Sequence, residues 1–243
     1  MIKIGCCGWA FLRPKDFLGN GKSFQSILQA YAKIFDSVEI NSTFYRIPKI
    51  ATAKKWRKQT DEVNKEFEFT VKCSGLITHR IRFSGGSIKI FDMMKDVCEK
   101  LNASILLFQS PSSFKPSNDN IKRMDDFFKK IKRGKLILTW EPRGEWHKNP
   151  KLIKKVCKKY ELVECVDPFR NDPLYFGKKK IAYFRLHGFG LISMYRYNFS
   201  RNELNQLKER IEGLKKKVKD FYVMFNNMTM YKNALEFSKI LEK

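Results

Sequence analysis

Short apolar runs recur along the chain, and between them apolar residues fall at the three-and-four spacing of an amphipathic helix. A run of four to eight apolar residues bounded by turn residues reads as a buried strand, because successive side chains face opposite sides and both sides must be covered. Ile2 to Gly8 is the first such run, closed by Gly8-Trp9, and Ser23 is read as the cap of a helix carrying Phe24, Ile27, Leu28, Tyr31 and Phe35 on one face. The same reading predicts strands over Ser37 to Asn41, Phe67 to Cys73, Ser104 to Gln109, Leu136 to Glu141, Leu162 to Val166, Ile181 to Leu186 and Phe221 to Phe225. Helices are predicted after Pro48, around Ala53 and Trp56, then along Phe91 to Leu101, Ile121 to Ile131 and Ile153 to Tyr160. Asn149-Pro150 reads as a cap followed by a proline at the first helical position. Ser200 and Glu203 have the spacing of a capping box ahead of Leu204, Leu207, Ile211, Leu214 and Val218, and Ala234 to Leu241 gives the last helix. Phe169 to Lys180 carries no full helical pattern.

About eight strand-like runs thus alternate with about seven helices, which is the pattern of parallel strands joined by right-handed helical crossovers. Eight such units close most economically into one TIM-type β/α barrel with outer helices, a single domain over residues 1–243. An open doubly wound sheet is the rival, but no Gly-x-Gly-x-x-Gly turn follows the first strand, which weakens its dinucleotide-binding form.

Composition adds a strong charge to this picture. Lysine and arginine number 49 against 25 acidic residues, a formal net charge of +24, and a field of that size draws anionic small molecules or nucleic acid. Runs such as Lys178-Lys179-Lys180 and Lys215-Lys216-Lys217 read equally well as solvated faces of a lysine-rich protein. Hydrophobic residues at 43% and aromatic residues at 14% exclude a disordered chain. The six cysteines include no Cys-x-x-Cys pair, so a zinc ribbon or thioredoxin-like motif is excluded and reduced structural thiols are expected. The N-terminus enters a strand at once and no apolar stretch reaches the roughly 18 residues of a membrane span, so a cytoplasmic protein with no membrane partner is expected. Oligomeric state is not legible.

In a β/α barrel the loops at the C-terminal strand ends carry the site. The runs here end in Glu39 and Asn41, Lys72 with His79 beyond, Gln109, Glu141 and Arg143, Asp167, Arg185 and His187, and Asn226 with Asn227; Trp9, Phe44, Tyr45, Phe114 and Trp140 are interleaved. Glu39, Glu141 and His187 are the candidate catalytic groups, being carboxylates and an imidazole able to carry protons. Trp9, Asn41, Tyr45, Lys72, His79, Gln109, Arg143, Arg185, Asn226 and Asn227 are the candidate binding groups, cations for an anion and rings and amides for a sugar, nucleoside or base. Lys72 and Arg185 have a second reading as interior ion-pair partners of Glu39 and Glu141. A glycosidase-like carboxylate pair is disfavoured, because strands two and five lie far apart around a barrel. Glu39, Glu141, Asp167 and His187 also offer oxygen and imidazole donors to a divalent metal, although no His-x-His or His-Glu-x-x-His spacing accompanies them. No cofactor is named by any motif. The leading expectation is an enzyme working on a phosphorylated, nucleotide-like or nucleic-acid substrate, of hydrolase type toward a phosphoester. Its alternative is a non-catalytic RNA- or DNA-binding barrel.

Gly8-Trp9, Glu39-Ile40-Asn41-Ser42-Thr43-Phe44-Tyr45, Phe69-Thr70-Val71-Lys72, Phe108-Gln109-Ser110-Pro111-Ser112-Ser113-Phe114, Trp140-Glu141-Pro142-Arg143, Tyr183-Phe184-Arg185-Leu186-His187-Gly188 and Tyr222-Val223-Met224-Phe225-Asn226-Asn227 occur in order along nearly the whole chain. In these motifs the sequence resembles the YecE-like family, domain of unknown function seventy-two. The resemblance implies a TIM-type barrel and brings no settled reaction. The chain departs from the family pattern at Met228-Thr229-Met230, where an acidic or glycine-containing stretch is usual, and in a short loop after Gly8.

Overall fold

The computed structural model describes residues 1–19, 23–190 and 193–242. Eight parallel strands close a barrel in sequence order: β1 (Ile2–Cys6), β2 (Ser37–Ile40), β3 (Glu68–Lys72), β4 (Ile105–Gln109), β5 (Ile137–Glu141), β6 (Leu162–Val166), β7 (Ile181–Leu186) and β8 (Asp220–Phe225). Around them lie α1 (Lys15–Leu18), α2 (Ile27–Ile34), α3 (Ile50–Asp61), α4 (Ser87–Leu101), α5 (Asn118–Lys130), α6 (Pro150–Tyr160), α7 (Arg201–Leu214) and α8 (Met230–Leu241). The closing pair runs from Ile2 beside Phe221 to Cys6 beside Phe225. Among the described residues no helix is long and apolar enough to cross a membrane.

Outward-facing strand residues such as Val38, Phe69, Phe108, Leu138 and Phe184 pack against the helices in one continuous core. Inward-facing residues form a smaller core of Ile105, Leu107, Val163, Cys165, Ile181, Tyr183, Tyr222 and Met224. The interior becomes charged in its upper layer, where Glu39, Lys72, Gln109, Glu141 and Arg185 follow Ser37, Thr70, Leu107, Thr139 and Tyr183 by the two-residue period of a strand. Gly5 is required where β1 meets β2, since a Cβ there would stand 2.1 Å from Ser37 O.

Local capping follows the sequence in two of three places. Asn149 accepts from Leu152 N ahead of Pro150, and Ser200 with Glu203 completes the capping box of α7. The first full helix does not start at Ser23: the cap is Ser26, which is extended and accepts from Gln29 N at 3.2 Å. Gln29 Oε1 in turn accepts from Gln25 N at 2.9 Å, which holds the chain before Ser26 off the helix axis. Between β6 and β7 no helix forms. Polar contacts secure that strap instead, with Glu164 Oε2 accepting from Leu174 N at 2.6 Å and Tyr175 donating to Glu161 at 2.6 Å.

Candidate active site

Arg185, at the end of β7, is fully buried and is the hub of the upper layer. Its Nε and Nη2 donate to the Glu39 carboxylate at 3.0 and 2.9 Å, and Nη1 donates to Glu141 Oε2 at 2.6 Å. Gln109 Oε1 and Asn41 Oδ1 accept further bonds at 3.3 and 3.4 Å. Tyr183 completes Glu39 with a 2.9 Å hydrogen bond to Oε2. Strands two and five are bridged through one guanidinium that both carboxylates share. Desolvating two acids and a base is costly, and the arrangement persists because almost every lone pair and N–H has a partner. Burial raises the Glu141 pKa, but Arg185 and Arg143 outweigh it and hold the carboxyl well below its ordinary range.

Glu141 Oε1 accepts from Arg143 Nε and Nη2 at 3.0 and 2.7 Å. Arg143 Nη2 also lies 3.2 Å from His187 Nε2. A guanidinium only donates, so Nε2 must offer its lone pair and the ring proton sits on Nδ1. That proton faces Asp167 Oδ2 at 3.7 Å, and the same oxygen accepts from His187 N at 3.2 Å. Asp167 therefore anchors the His187 backbone, with the ring beyond hydrogen-bond distance. These groups line a cavity of about 360 Å³ with His147 and Arg170.

Lys72 rises one layer above Thr70, whose hydroxyl meets Tyr183 across the interior at 2.7 Å. Its Nζ lies 4.4 Å from the centre of the Phe44 ring, and among the described residues it enters no ion pair. Burial first, then the charge of Arg185, lower its pKa to about 8, against opposing pulls from Glu39 and Glu141. His79 stands edge-on to the same Phe44 ring at 4.8 Å, with Nδ1 2.8 Å from Thr78 Oγ1. Burial, followed by Lys72, Arg143 and Arg82, lowers its pKa to about 4. His79 lies in a π-helical turn, Leu76–Arg80, and Arg82 and Phe83 after it adopt positive φ of 49° and 61°. Such backbone is uncommon outside functional loops, and the buried Phe83 ring anchors it here.

A second cavity, of about 860 Å³, opens beside this layer between Trp9, Trp56, Tyr195 and Tyr231, with Asn41 and Asn226 as its polar edge. Trp9 and Trp56 meet edge-on at 5.2 Å. Met194 lines the smaller cavity and Tyr195 the larger, so one loop separates them.

Glu39, Asn41, Lys72, His79, Gln109, Glu141, Arg143, Arg185 and His187 thus gather at one mouth, with Trp9 and Asn226 on its neighbouring cavity. Tyr45 does not join them: it is 85% exposed, packed edge-on against Phe44 and lining neither cavity. Asn227 borders the larger cavity, but its Nδ2 turns inward to Tyr197 O, Thr229 Oγ1 and Asn233 Oδ1. Arg185 is an ion-pair hub, the second of the two readings open to it. The metal set drawn from the sequence is not assembled: among the described residues no three His, Cys, Asp or Glu converge, because the arginines occupy Glu39 and Glu141. Trp56, Tyr195 and Tyr231 at the larger cavity, and Asp167 as acceptor of the His187 backbone N–H, were not foreseen. Trp56 reads as helix core and Tyr195 lies in a loop without periodicity; only Asp167, as a strand-end acid, carried a signal.

A closed barrel of eight parallel strands in sequence order, surrounded by helices, is a TIM-type β/α barrel as a class. More specifically, the chain belongs to the family described as Protein of unknown function DUF72, whose model matches residues 3–243. It is 26% identical over 261 residues to the UPF0759 protein YunF of Bacillus subtilis, covering 93% of this chain and 89% of that one. The crystal structure of a DUF72 family protein from Thermotoga maritima is similar at a TM-score of 0.75 and 24% identity, covering 100% of both chains. A DUF72 family protein from Enterococcus faecalis gives 0.75 and 21%, covering 100% of this chain and 96% of that one.

Proposed function

We propose that this protein is an enzyme that binds a phosphorylated or nucleotide-like anion at the barrel mouth and acts on it by acid/base chemistry, as a phosphoester hydrolase. The observation that carries this reading is geometric: Lys72 enters no ion pair among the described residues and stands on the Phe44 ring, at the same mouth where Arg143 and Arg185 share one carboxylate, Glu141. An anion bound there would favour the charged ammonium of Lys72. Arg143, with Nε and Nη2 on Glu141, offers its Nη1 to the anion, and the aromatic cavity beside the mouth suits a base or sugar. His187 is the proton carrier: its Nε2 lone pair, held here by the Arg143 N–H, is freed to take a proton from an attacking water when the ligand anion takes that N–H. Glu39 and Glu141, both paired with Arg185, hold the cations in place instead of transferring protons.

Binding of inorganic phosphate and of nucleoside monophosphates, followed by calorimetry and phosphorus NMR, tests this. Arg143→Gln is expected to weaken binding about tenfold or more, on the scale of a lost charged hydrogen bond. His187→Gln is expected to keep binding and abolish turnover. Absence of binding by any of these anions would end the proposal.

A second reading, a barrel that binds RNA or DNA without turnover, is favoured by the net charge of +24 together with Phe11, Tyr45 and Met228 exposed at 85%, 85% and 70% on the mouth loops. Surface binding of that kind falls steeply with salt and survives Glu141→Gln. Salt-insensitive affinity, or loss on that one substitution, contradicts it.

A further inference from the structure

The lysine runs that the mouth does not use come together at the opposite end of the barrel. Residues 129–135, 158–161, 177–180 and 215–219 each lead into a strand, so all four segments lie at the base. Lys180 O accepts from Lys219 N at 2.7 Å, which joins the turn carrying Lys178-Lys179-Lys180 to the loop carrying Lys215-Lys216-Lys217. On the other flank of that turn, Lys178 meets Lys129, Arg133, Lys158 and Lys159 around a cavity of about 400 Å³. Glu161 is the one acid lining it, and its carboxylate accepts from the Tyr175 hydroxyl and the Lys178 backbone N–H. Asp125 pairs with both Lys129 and Lys159 at 2.6 Å, whereas among the described residues Arg133, Lys158 and Lys178 enter no ion pair. Arg133 Nη1 donates to Tyr160 O and Glu161 O at 3.3 and 2.9 Å, which fixes the guanidinium over the end of α6 and leaves Nε and Nη2 without a partner among the described residues. Cations at helix C-termini complement the macrodipole, and that accounts for Lys129, Lys130, Lys158 and Lys159. It does not account for Lys178-Lys179-Lys180, because no helix lies between β6 and β7. That run is a fixed turn, with Lys180 N donating to Gly177 O at 3.1 Å and Ile181 N to Phe176 O at 2.8 Å.

We propose that this base is a docking surface for the phosphate backbone of a nucleic acid, at the other end of the barrel from the mouth. The shape of the charge selects the partner. A compact anion is matched by one pocket, whereas here the cations continue from the cavity across the 178–180 turn to residues 215–219, a stripe that a chain of phosphates can follow. Among the described residues none of the four segments exposes a large apolar side chain, so nothing there inserts among lipid tails as an interfacial anchor does. Arg133 offers a fixed fork to one phosphate, and the lysines supply mobile point charges to its neighbours. Contacts of this kind carry affinity without reading sequence. The inference does not rest on the anion site at the mouth, and it is compatible with turnover there.

The experiment follows binding of a short fluorescein-labelled oligouridine to the purified full chain by fluorescence anisotropy. With about five phosphates neutralised, at a slope of about −0.7 for each, affinity is expected to fall about a hundredfold between about 50 and about 200 mM salt. Lys158→Glu, Lys178→Glu and Lys179→Glu combined should weaken binding at least about tenfold and flatten that slope by about 2. A comparison variant combines Lys54→Glu, Lys55→Glu and Lys58→Glu on the exposed face of α3; it has the same net charge and should lose less than about threefold. If the base variant does not fold, Lys158→Gln, Lys178→Gln and Lys179→Gln should give a smaller loss of the same sign. Arg143→Gln should leave the affinity unchanged. Equal loss in the base and α3 variants means that net charge alone attracts the oligonucleotide, and the proposal is overturned. Loss on Arg143→Gln with the base variant unaffected moves the contact to the mouth and overturns it as well, while the anion site there stands. If the oligonucleotide does not bind, the proposal ends, and binding to vesicles containing phosphatidylserine would then make the base a lipid surface.

Discussion

Arg185 donates to Glu39, Glu141, Gln109 and Asn41 from a position with no solvent exposure, so none of its charge is left for a ligand without breaking the layer. Replacing it by methionine leaves buried Glu39 without a charged partner and Glu141 with Arg143 alone, and a loss on the order of 3–5 kcal/mol is expected in denaturant unfolding. A loss under about 1 kcal/mol would mean that the clamp relaxes into water. Glu141 has a folded-state pKa below its unfolded one, so its contribution is present above pH 4.5 and disappears as the pH falls through the acid range. Melting temperature measured downward from pH 6 should therefore fall less steeply in Glu141→Gln than in the wild type. Lys72 has the opposite sign. Its folded-state pKa is lowered from 10.5 to about 8, so between those values the unfolded chain binds more protons and stability rises with pH. At pH 7 the buried ammonium is destabilising, and Lys72→Met should raise the melting temperature there by an amount that shrinks toward pH 10. A lower melting temperature for Lys72→Met at pH 7 would show that its packing on Phe44 outweighs its desolvation.

Strand and helix identity were legible because the two periods differ: β4 and β8 are apolar on both faces, whereas α5 and α6 carry a single apolar stripe. Helix starts were legible where a cap bonds within its own first turn, as Ser200 does with Glu203, and not where a neighbour decides, as Gln29 does in shifting the start to Ser26. Ser200→Ala should cost about 1 kcal/mol in thermal or chemical unfolding, the ordinary worth of such a cap. The loop after β3 carried no comparable sign. Its π-helical turn and the left-handed Arg82 and Phe83 depend on Phe83 reaching Phe108, Phe114 and Phe127, rings that lie far along the chain. Phe83→Ala should therefore lower stability by about 3–5 kcal/mol and also release His79, seen as a return of its imidazole titration toward 6.5. Destabilisation with an unchanged His79 titration would separate the loop's shape from its anchor.

Across the whole barrel, a charge of +24 on 243 residues repels itself in the compact state. Raising sodium chloride from low to moderate concentration should increase the melting temperature, because charges farther apart than about 10 Å are screened at roughly 0.1 M salt. A melting temperature that falls with salt would assign more weight to the surface ion pairs, such as Lys115 with Glu145 and Lys159 with Asp125. The order of strands and helices, the closure into a barrel and the end of the barrel that holds the polar residues all follow from local patterning and the right-handed crossover. Each depends on residues within a strand–helix unit, and that is information a linear chain displays. The roles within the mouth follow from contacts between units. Whether Arg185 faces a ligand or two glutamates, whether Lys72 is paired or lies on Phe44, and whether Asn227 looks outward or into its own turn are settled by distances of 3–4 Å between residues as many as 146 positions apart. Charge and hydrogen-bonding capacity belong to the residue, but partnership belongs to the neighbours that closure of the barrel brings, and only the folded arrangement specifies them.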